Sequence, residues 1–185
     1  IIVGAPHAED GKVMNSVFVI DEGRIMARRD KVGLPTYSVF DDGRNFTPGP
    51  MPGPALVRGW RIGLPICEDI WTADVTECLA ESGAELIISI NGSPFEIGKR
   101  DRRISNAVAR VTETGLPLVY VALVGGQDEV VYDGASFALN SDGSLAAHLP
   151  SFSEAVTTIQ LAESFGTLSS VSYTHLRAHE TMAHL

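Results

Sequence analysis

A cysteine, Cys67, and a lysine, Lys31, are the side chains of this sequence best placed to do chemistry. Cys67 follows Trp60, Ile62, Leu64 and Ile66, whose alternation with other residues has strand periodicity, and precedes a helix-forming segment. That position exposes a side chain at the rim of a sheet, where α/β proteins place ligands. A thiol near a helix start or a lysine loses its proton more easily, and the thiolate is the nucleophile. The competing interpretation is a small core residue, the common fate of a lone cysteine. Cys78 illustrates it, falling with Val75 and Leu79 on one helical face. Histidine, the usual partner, is poorly supplied: neither His7 nor His148 has a polar context suggesting a base, so papain-like and caspase-like pairs are excluded. Lys31, ahead of the Leu34-Pro35-Thr36-Tyr37 turn, is the better partner. An ammonium fixed there favours the thiolate and stabilises an oxyanion, whereas a lysine without a site is a solvated surface charge. There is no GxxxxGK[ST] phosphate loop, no GxGxxG fingerprint and no convincing metal-ligand spacing.

The elements that would hold these residues alternate. Ile1 to Ala5 reads as a short strand, His7 to Gly11 as a polar turn, and Ser16 to Ile20 with Arg24 to Ala27 as a hairpin around Asp21-Glu22-Gly23. Lys31 to Phe46 is irregular, and Thr47 to Pro54 (TPGPMPGP) must be a loop because proline cannot donate to a ladder. A helix is predicted over Ala73 to Ser82, closed by Gly83, and a buried strand over Glu85 to Ile90. A longer helix near Gly98 to Thr114 presents Ile104, Ala107, Val108 and Val111 as its apolar stripe and ends at Gly115. Pro117 to Leu123 is a further strand, Gly125 to Asp128 a loop, Ser136 to Asn140 and Ser144 to His148 a hairpin, and Val156 to Leu161 a last strand. The pattern indicates an α/β layered domain with a mixed sheet.

Bulk properties narrow the class. With 185 residues, 44% hydrophobic and 20% charged, the chain is an ordinary soluble globular domain. A net charge of −9 argues against nucleic acid or an acidic membrane surface as partner, and no apolar run is long enough to span a bilayer. No signal peptide is visible, but Ile1 is not a start methionine and Ile1-Ile2-Val3 reads as mid-strand, so the natural N-terminus is expected upstream. Two cysteines without a CxxC or a disulfide framework point to a reduced, cytoplasmic setting. The last fifteen residues, Val171 to Leu185, change composition abruptly and hold His175, His179 and His184. VSYTHLRAHET is what one frame of a common transposase-based sequencing adapter encodes, so 171–185 is read as a sequencing or cloning artefact and 1–170 as a domain incomplete at both ends.

Four ordered segments resemble one family, the glutamine-dependent NAD synthetases: KVGLPTYSVFDDGRNF from Lys31, GLPICEDIW from Gly63 as the nucleophile motif, NGSPFEIGK from Asn91, and GLPLVYVALVGGQDEVVYDGASF from Gly115. GxPICED alone would indicate only the wider nitrilase, or carbon–nitrogen hydrolase, superfamily. The resemblance implies a nitrilase-like α-β-β-α sandwich with mixed sheets that pairs across a two-fold axis into a larger homo-oligomer. It implies a Glu-Lys-Cys active site in which Lys31 and Cys67 match the lysine and cysteine and the glutamate belongs to an earlier segment. Asp42 falls where a supporting glutamate is usual; aspartate is one methylene shorter, which puts its contact with Lys31 in question. Tyr37, Glu68, Trp71, Ser93 and Lys99 fall where the family contacts glutamine or shapes its pocket, with the Glu68 backbone N–H expected to bind the oxyanion. The implied activity is hydrolysis of the glutamine amide, supplying ammonia to a synthetase domain of the same chain that amidates nicotinic acid adenine dinucleotide. The glutaminase part needs no metal or cofactor; ATP and Mg2+ belong to the synthetase domain. The isolated fragment, lacking the glutamate, is expected to be a poor glutaminase. The rival expectations are a stand-alone amidase acting on a small amide or carbamoyl compound, and a non-catalytic scaffold of the same fold.

Overall fold

Turn chemistry sets the first sheet of the computed structural model, which describes residues 1–161 and 167–171. Strands β1 (Ile2–Glu9), β2 (Lys12–Asp21) and β3 (Arg24–Asp30) form an antiparallel meander in the order β1-β2-β3. Both connections are two-residue turns with positive φ at each position: Asp10 and Gly11 at 50° and 72°, Glu22 and Gly23 at 49° and 74°. Such turns match the right-handed twist of the strands they join. The second is the hairpin expected at Asp21-Glu22-Gly23. The first corrects the sequence expectation, because β1 runs past Ala5 to Glu9 and the polar turn shrinks to Asp10-Gly11. Pro6 pairs opposite Asn15 without breaking the strand, since β1 is the outer strand of its sheet and a proline there withholds no needed donor.

The second sheet has six strands in the order β11-β10-β7-β6-β5-β4. Its parallel centre, β5 (Trp60–Gly63), β6 (Leu86–Asn91) and β7 (Leu118–Ala122), is joined through helices α2 (Asp74–Glu81) and α3 (Lys99–Thr114). The flanking strands β4 (Ala55–Val57), β10 (Phe137–Leu139) and β11 (Leu145–His148) run antiparallel. Side-chain alternation along β6 separates two cores. Ile87 faces α2 and α3 in a cluster with Leu79, Ala107, Val111, Leu118 and Tyr120. Ile88 and Ile90 face the first sheet in a cluster with Val17, Val19, Ile62, Leu64 and Ile66. The described residues thus supply helix, sheet and sheet of the four expected layers, and the expected mixed α/β sheet architecture is present. Among them no helix is long and apolar enough to cross a membrane. The artefact assigned to 171–185, with its three histidines, lies outside the described residues apart from the backbone of Val171.

Two further expectations change. The loop expected at Gly125 to Asp128 is part of a hairpin, β8 (Val124–Gln127) with β9 (Val130–Asp133), because consecutive glycines carry no side-chain alternation by which a strand could be read. The buried stripe of α3 is rotated from the expected one: Lys99, Arg103, Ala107 and Val111 are buried at four-residue spacing, while Ile104 and Val108 are only partly covered. A last pair, β12 (Thr158–Leu161) with β13 (Leu168–Val171), is antiparallel.

The proline-rich loop after residue 46 crosses the end of the first sheet. Thr47 N–H donates to Val13 O at 2.7 Å, Gly49 N–H donates to Lys31 O at 2.8 Å, and Arg29 donates to Gly53 O and Pro54 O. A Cβ on Gly49 would sit 2.6 Å from both Cβ and O of Asp30, so only glycine lets the loop lie this close to Lys31. Gly49→Ala is expected to destabilise the fold by about 1–3 kcal/mol, the usual cost of overpacking a close approach. Urea unfolding of the parent and variant chains checks this; an unchanged midpoint would mean the loop can lift away freely.

Candidate active site

Cys67 occupies a strained turn. The parallel strand β5 ends at Gly63, the chain continues through Leu64-Pro65-Ile66, Ile66 bridges to Ile90, and a 3-10 turn begins at Cys67 (Cys67–Ile70). Cys67 itself has φ of 48°, a left-handed conformation that costs a non-glycine residue energy and persists only where its surroundings enforce it. The enforcing group is the Asp69 carboxylate, buried two residues on. Its Oδ2 accepts the Ile66 N–H at 3.0 Å, while its Oδ1 accepts the N–H groups of Val32 at 3.1 Å and Gly33 at 2.7 Å. One side chain therefore holds the turn before the cysteine and the chain after the lysine.

Lys31 is fixed from the other directions as well. Its backbone N–H continues the β2–β3 ladder by donating to Asn15 O at 2.8 Å, and its carbonyl accepts Gly49. Its side chain is only 5% exposed, and Nζ donates to Asp42 Oδ2 at 2.5 Å. The shorter aspartate reaches the lysine because the intervening turn closes tightly: Asp42 N–H donates to Pro35 O at 3.0 Å and Asp42 opens the four-residue helix α1 (Asp42–Asn45). The interpretation of Lys31 as a solvated surface charge is excluded.

Cys67 lies where two cavities meet. The larger, about 820 Å³, also takes in Lys31, Asp42, Asn91 and Pro94. The smaller, about 210 Å³, brings together Tyr37, Glu68, Trp71, Ser93 and Lys99, so all five residues expected around a substrate line one space beside the thiol. Tyr37 donates its hydroxyl to the Glu68 carboxylate at 2.7 and 2.9 Å, and Glu96 with Arg102 forms an ion pair in the same lining. The pocket therefore offers carboxylates, cations and hydroxyls together, a lining suited to a small zwitterionic molecule. Phe40 was not singled out from sequence, yet it lines both cavities and its ring carries the Lys99 ammonium 5.4 Å from its centroid. Its position three residues after Tyr37 in the same irregular segment was the available signal. Asp69 was also missed, although it lies within the CEDIW segment.

The electrostatics modify the expected acidity of the thiol. Burial pushes the Cys67 thiol up, Lys31 and Lys99 pull it down, and Glu68 and Asp42 push it up again; the net position is above the ordinary cysteine value. The sequence-based expectation that the lysine yields a resting thiolate therefore meets a larger opposing effect. Burial likewise lowers the Lys99 ammonium, with Glu96 opposing it, and raises the Tyr37 phenol to about 12, with its Glu68 hydrogen bond adding to the rise. A buried neutral thiol needs a base at the moment of attack. Alkylation of Cys67 by iodoacetamide should therefore rise with pH through a midpoint above the ordinary cysteine value. Lys31→Met should move that midpoint higher still and slow the reaction at pH 8 by roughly tenfold, one unit of pKa. Peptide mapping of labelled Cys67 against pH reads both; a midpoint below neutrality in the parent would mean that Lys31 outweighs burial.

Comparison with known proteins agrees with this geometry. The carbon–nitrogen hydrolase family model matches residues 1–167. The glutamine-dependent NAD(+) synthetase of Rhodobacter capsulatus is 46% identical over 159 residues, 86% of this chain and 29% of that protein. That of Acinetobacter baylyi is 37% identical, over 83% of this chain and 29% of its own length. The chain thus spans under a third of the length of these relatives. Among solved structures, glutamine-dependent NAD+ synthetase from Acinetobacter baumannii in complex with ADP superposes with a TM-score of 0.86 at 31% identity, over 94% of this chain and 33% of its own. An amidase from Nesterenkonia sp. AN1 shares the fold at a TM-score of 0.70 and 24% identity, over 80% and 58%. With nearly its whole described length matched and the cysteine turn and lysine pair standing where two cavities meet, this chain belongs to the carbon–nitrogen hydrolase family.

Proposed function

We propose that these residues form the glutaminase part of a glutamine-dependent NAD synthetase. The observation that carries the proposal is the junction at Cys67: a buried Lys31–Asp42 pair opens on one side of the thiol, and a small polar pocket opens on the other. The identity to NAD synthetases of several bacteria supports glutamine as the amide. In the pocket the carboxylates of Glu68 and Glu96 suit the α-ammonium of an amino acid, and Lys99 suits its α-carboxylate.

The family resemblance implies the reaction, and these groups would carry it. The thiol proton of Cys67 passes to a glutamate of an earlier segment, and the sulfur attacks the side-chain amide carbon of glutamine. The carbonyl oxygen becomes an oxyanion, held by the Lys31 ammonium and by the Glu68 N–H. Glu68 is in the first turn of the 3-10 helix, where backbone N–H groups have no intrahelical acceptor. The C–N bond then breaks, the proton returns to nitrogen, and ammonia departs to leave a thioester. Water, deprotonated by the same glutamate, attacks the thioester carbon, releasing glutamic acid and restoring the thiol. Asp42 holds Lys31 in place by accepting one of its three N–H donors, which leaves two for the oxyanion. A synthetase domain on the same chain would use the ammonia with ATP and Mg2+, and the whole would assemble as a homo-oligomer.

The test is made on the full-length natural protein that carries these residues. Parent enzyme should form NAD from the deamido dinucleotide with ATP and either glutamine or ammonia. Cys67→Ala should lose the glutamine-dependent rate by at least roughly a thousandfold and keep the ammonia-dependent one. Hydrolysis of small amides without any ATP-dependent amidation would instead make this a stand-alone amidase, and loss of neither rate in Cys67→Ala would make the fold a scaffold. The isolated chain of 185 residues should show little glutaminase activity; a robust rate abolished by Cys67→Ala would remove the need for the earlier glutamate.

A further inference from the structure

Behind the pocket wall lies an ionic group that the chemistry above does not use. Arg103 of α3 and Asp133 at the end of β9 pair at 2.7 Å with side chains 3% and 5% exposed. The other terminal nitrogen, Nη2, donates to Ser93 O at 2.8 Å and to Pro94 O at 3.0 Å. Ser93 lines the smaller cavity and Pro94 the larger, so one guanidinium carries the wall between them. The hairpin that supplies Asp133 also receives the Phe95 N–H at Val131 O, which closes a ring of contacts around the residue 93–95 segment.

Taking a charge pair out of water costs several kcal/mol per ion, and well-packed apolar residues would stabilise the fold at least as well. What apolar residues could not do is satisfy two buried carbonyls of a proline-containing turn and fix their direction, a task suited to the planar fork of arginine. The group is also close to the chemistry. Tyr120, buried beside it, has a hydroxyl without a partner in hydrogen-bond geometry among the described residues, as has Arg103 Nε. Tyr120 feels Cys67, Arg103, Asp133 and the Ser93 side chain together, so these four groups sit within electrostatic range of one phenol.

We propose that Arg103 is a positioning residue for the hydrolase: clamped to Asp133, it fixes the Ser93-Pro94 wall against Cys67 and thereby sets where the substrate amide lies. The proposal rests on the amide-hydrolase reading of the site. Arg103→Lys keeps the charge but loses the fork, and Asp133→Asn keeps an acceptor for Arg103 but removes the neutralising charge. In the full-length protein each should raise KM for glutamine by roughly tenfold, the scale of a sub-ångström misplacement, and lower kcat. Alkylation of Cys67 by iodoacetamide, which needs no pocket wall, should stay within about twofold of the parent, with a melting temperature close to the parent's. Parental KM in either variant that folds would overturn the proposal. So would a raised KM accompanied by altered alkylation and a lowered melting temperature, or failure of both variants to fold, since each assigns the pair to stability alone. Failure of the substrate reading is separate: the parent would then hydrolyse no glutamine, and the same KM comparison would be run on acetamide or propionamide.

Discussion

The carboxylate of Asp69 is the interaction on which the site depends. It accepts one N–H from the turn ahead of Cys67 and two from the chain after Lys31, so these two residues, 36 apart in sequence, are held by one buried group. Burial alone raises this carboxyl, and its three backbone donors and Lys31 lower it, with the balance above the ordinary aspartate value. A residue so placed stores the strain seen at Cys67: the left-handed backbone there is retained because releasing it would leave a buried carboxylate without its donors. Two layers of the fold meet through this contact, since Lys31 follows the three-stranded sheet and Cys67 follows the six-stranded one.

The same burial that fixes the thiol also keeps it protonated. Lys31 opposes this, but its ammonium is already engaged by Asp42 at 2.5 Å, and two carboxylates act on the thiol in the other direction. The arrangement suits a mechanism in which charge develops during attack and is met by a preset cation, more than one that begins from a standing thiolate. The main chain also explains how an aspartate at position 42 reaches Lys31. The Pro35–Asp42 turn draws the helix α1 backbone toward Lys31, so the missing methylene is recovered by main-chain placement.

That Cys67 and Lys31 share one cavity was partly legible from local signals: an alternating run ending in Cys67, a helix-forming segment after it, and Lys31 before a proline turn. The hairpin turns, α2, α3 and the buried parallel strands were legible for the same reason, each marked by its own glycine, periodicity or apolar run. Where the sequence misled, the deciding information was tertiary. Pro6 breaks a strand only if its missing N–H is needed, and the position of β1 at a sheet edge removes that need. The β8–β9 hairpin has two glycines where alternation should show. Phe40, Asp69 and Arg103 were passed over as site residues because an aromatic, an acid beside a helix start and one arginine among several each have a bland local explanation, and only the folded chain brings them around Cys67 and its pocket wall.

Helix α3 shows how a single element can serve both tasks. Its buried stripe begins with Lys99 in the pocket lining, passes through Arg103 under the pocket wall, and continues as Ala107 and Val111 in the core against Leu118 and Leu139. An amphipathic helix usually divides its faces into apolar and polar. Here the buried side is ionic at the end nearest Cys67 and mainly apolar toward Gly115, where Arg110, also buried, pairs with Glu113 and the left-handed cap ends the helix. The apolar half anchors the helix against the sheet by burial, and that anchorage lets the charged half stay desolvated and fixed in direction. The Arg103–Asp133 pair is thus held in place by a core that the apolar residues supply, which is the condition under which buried charge gives a site its geometry and not merely its polarity.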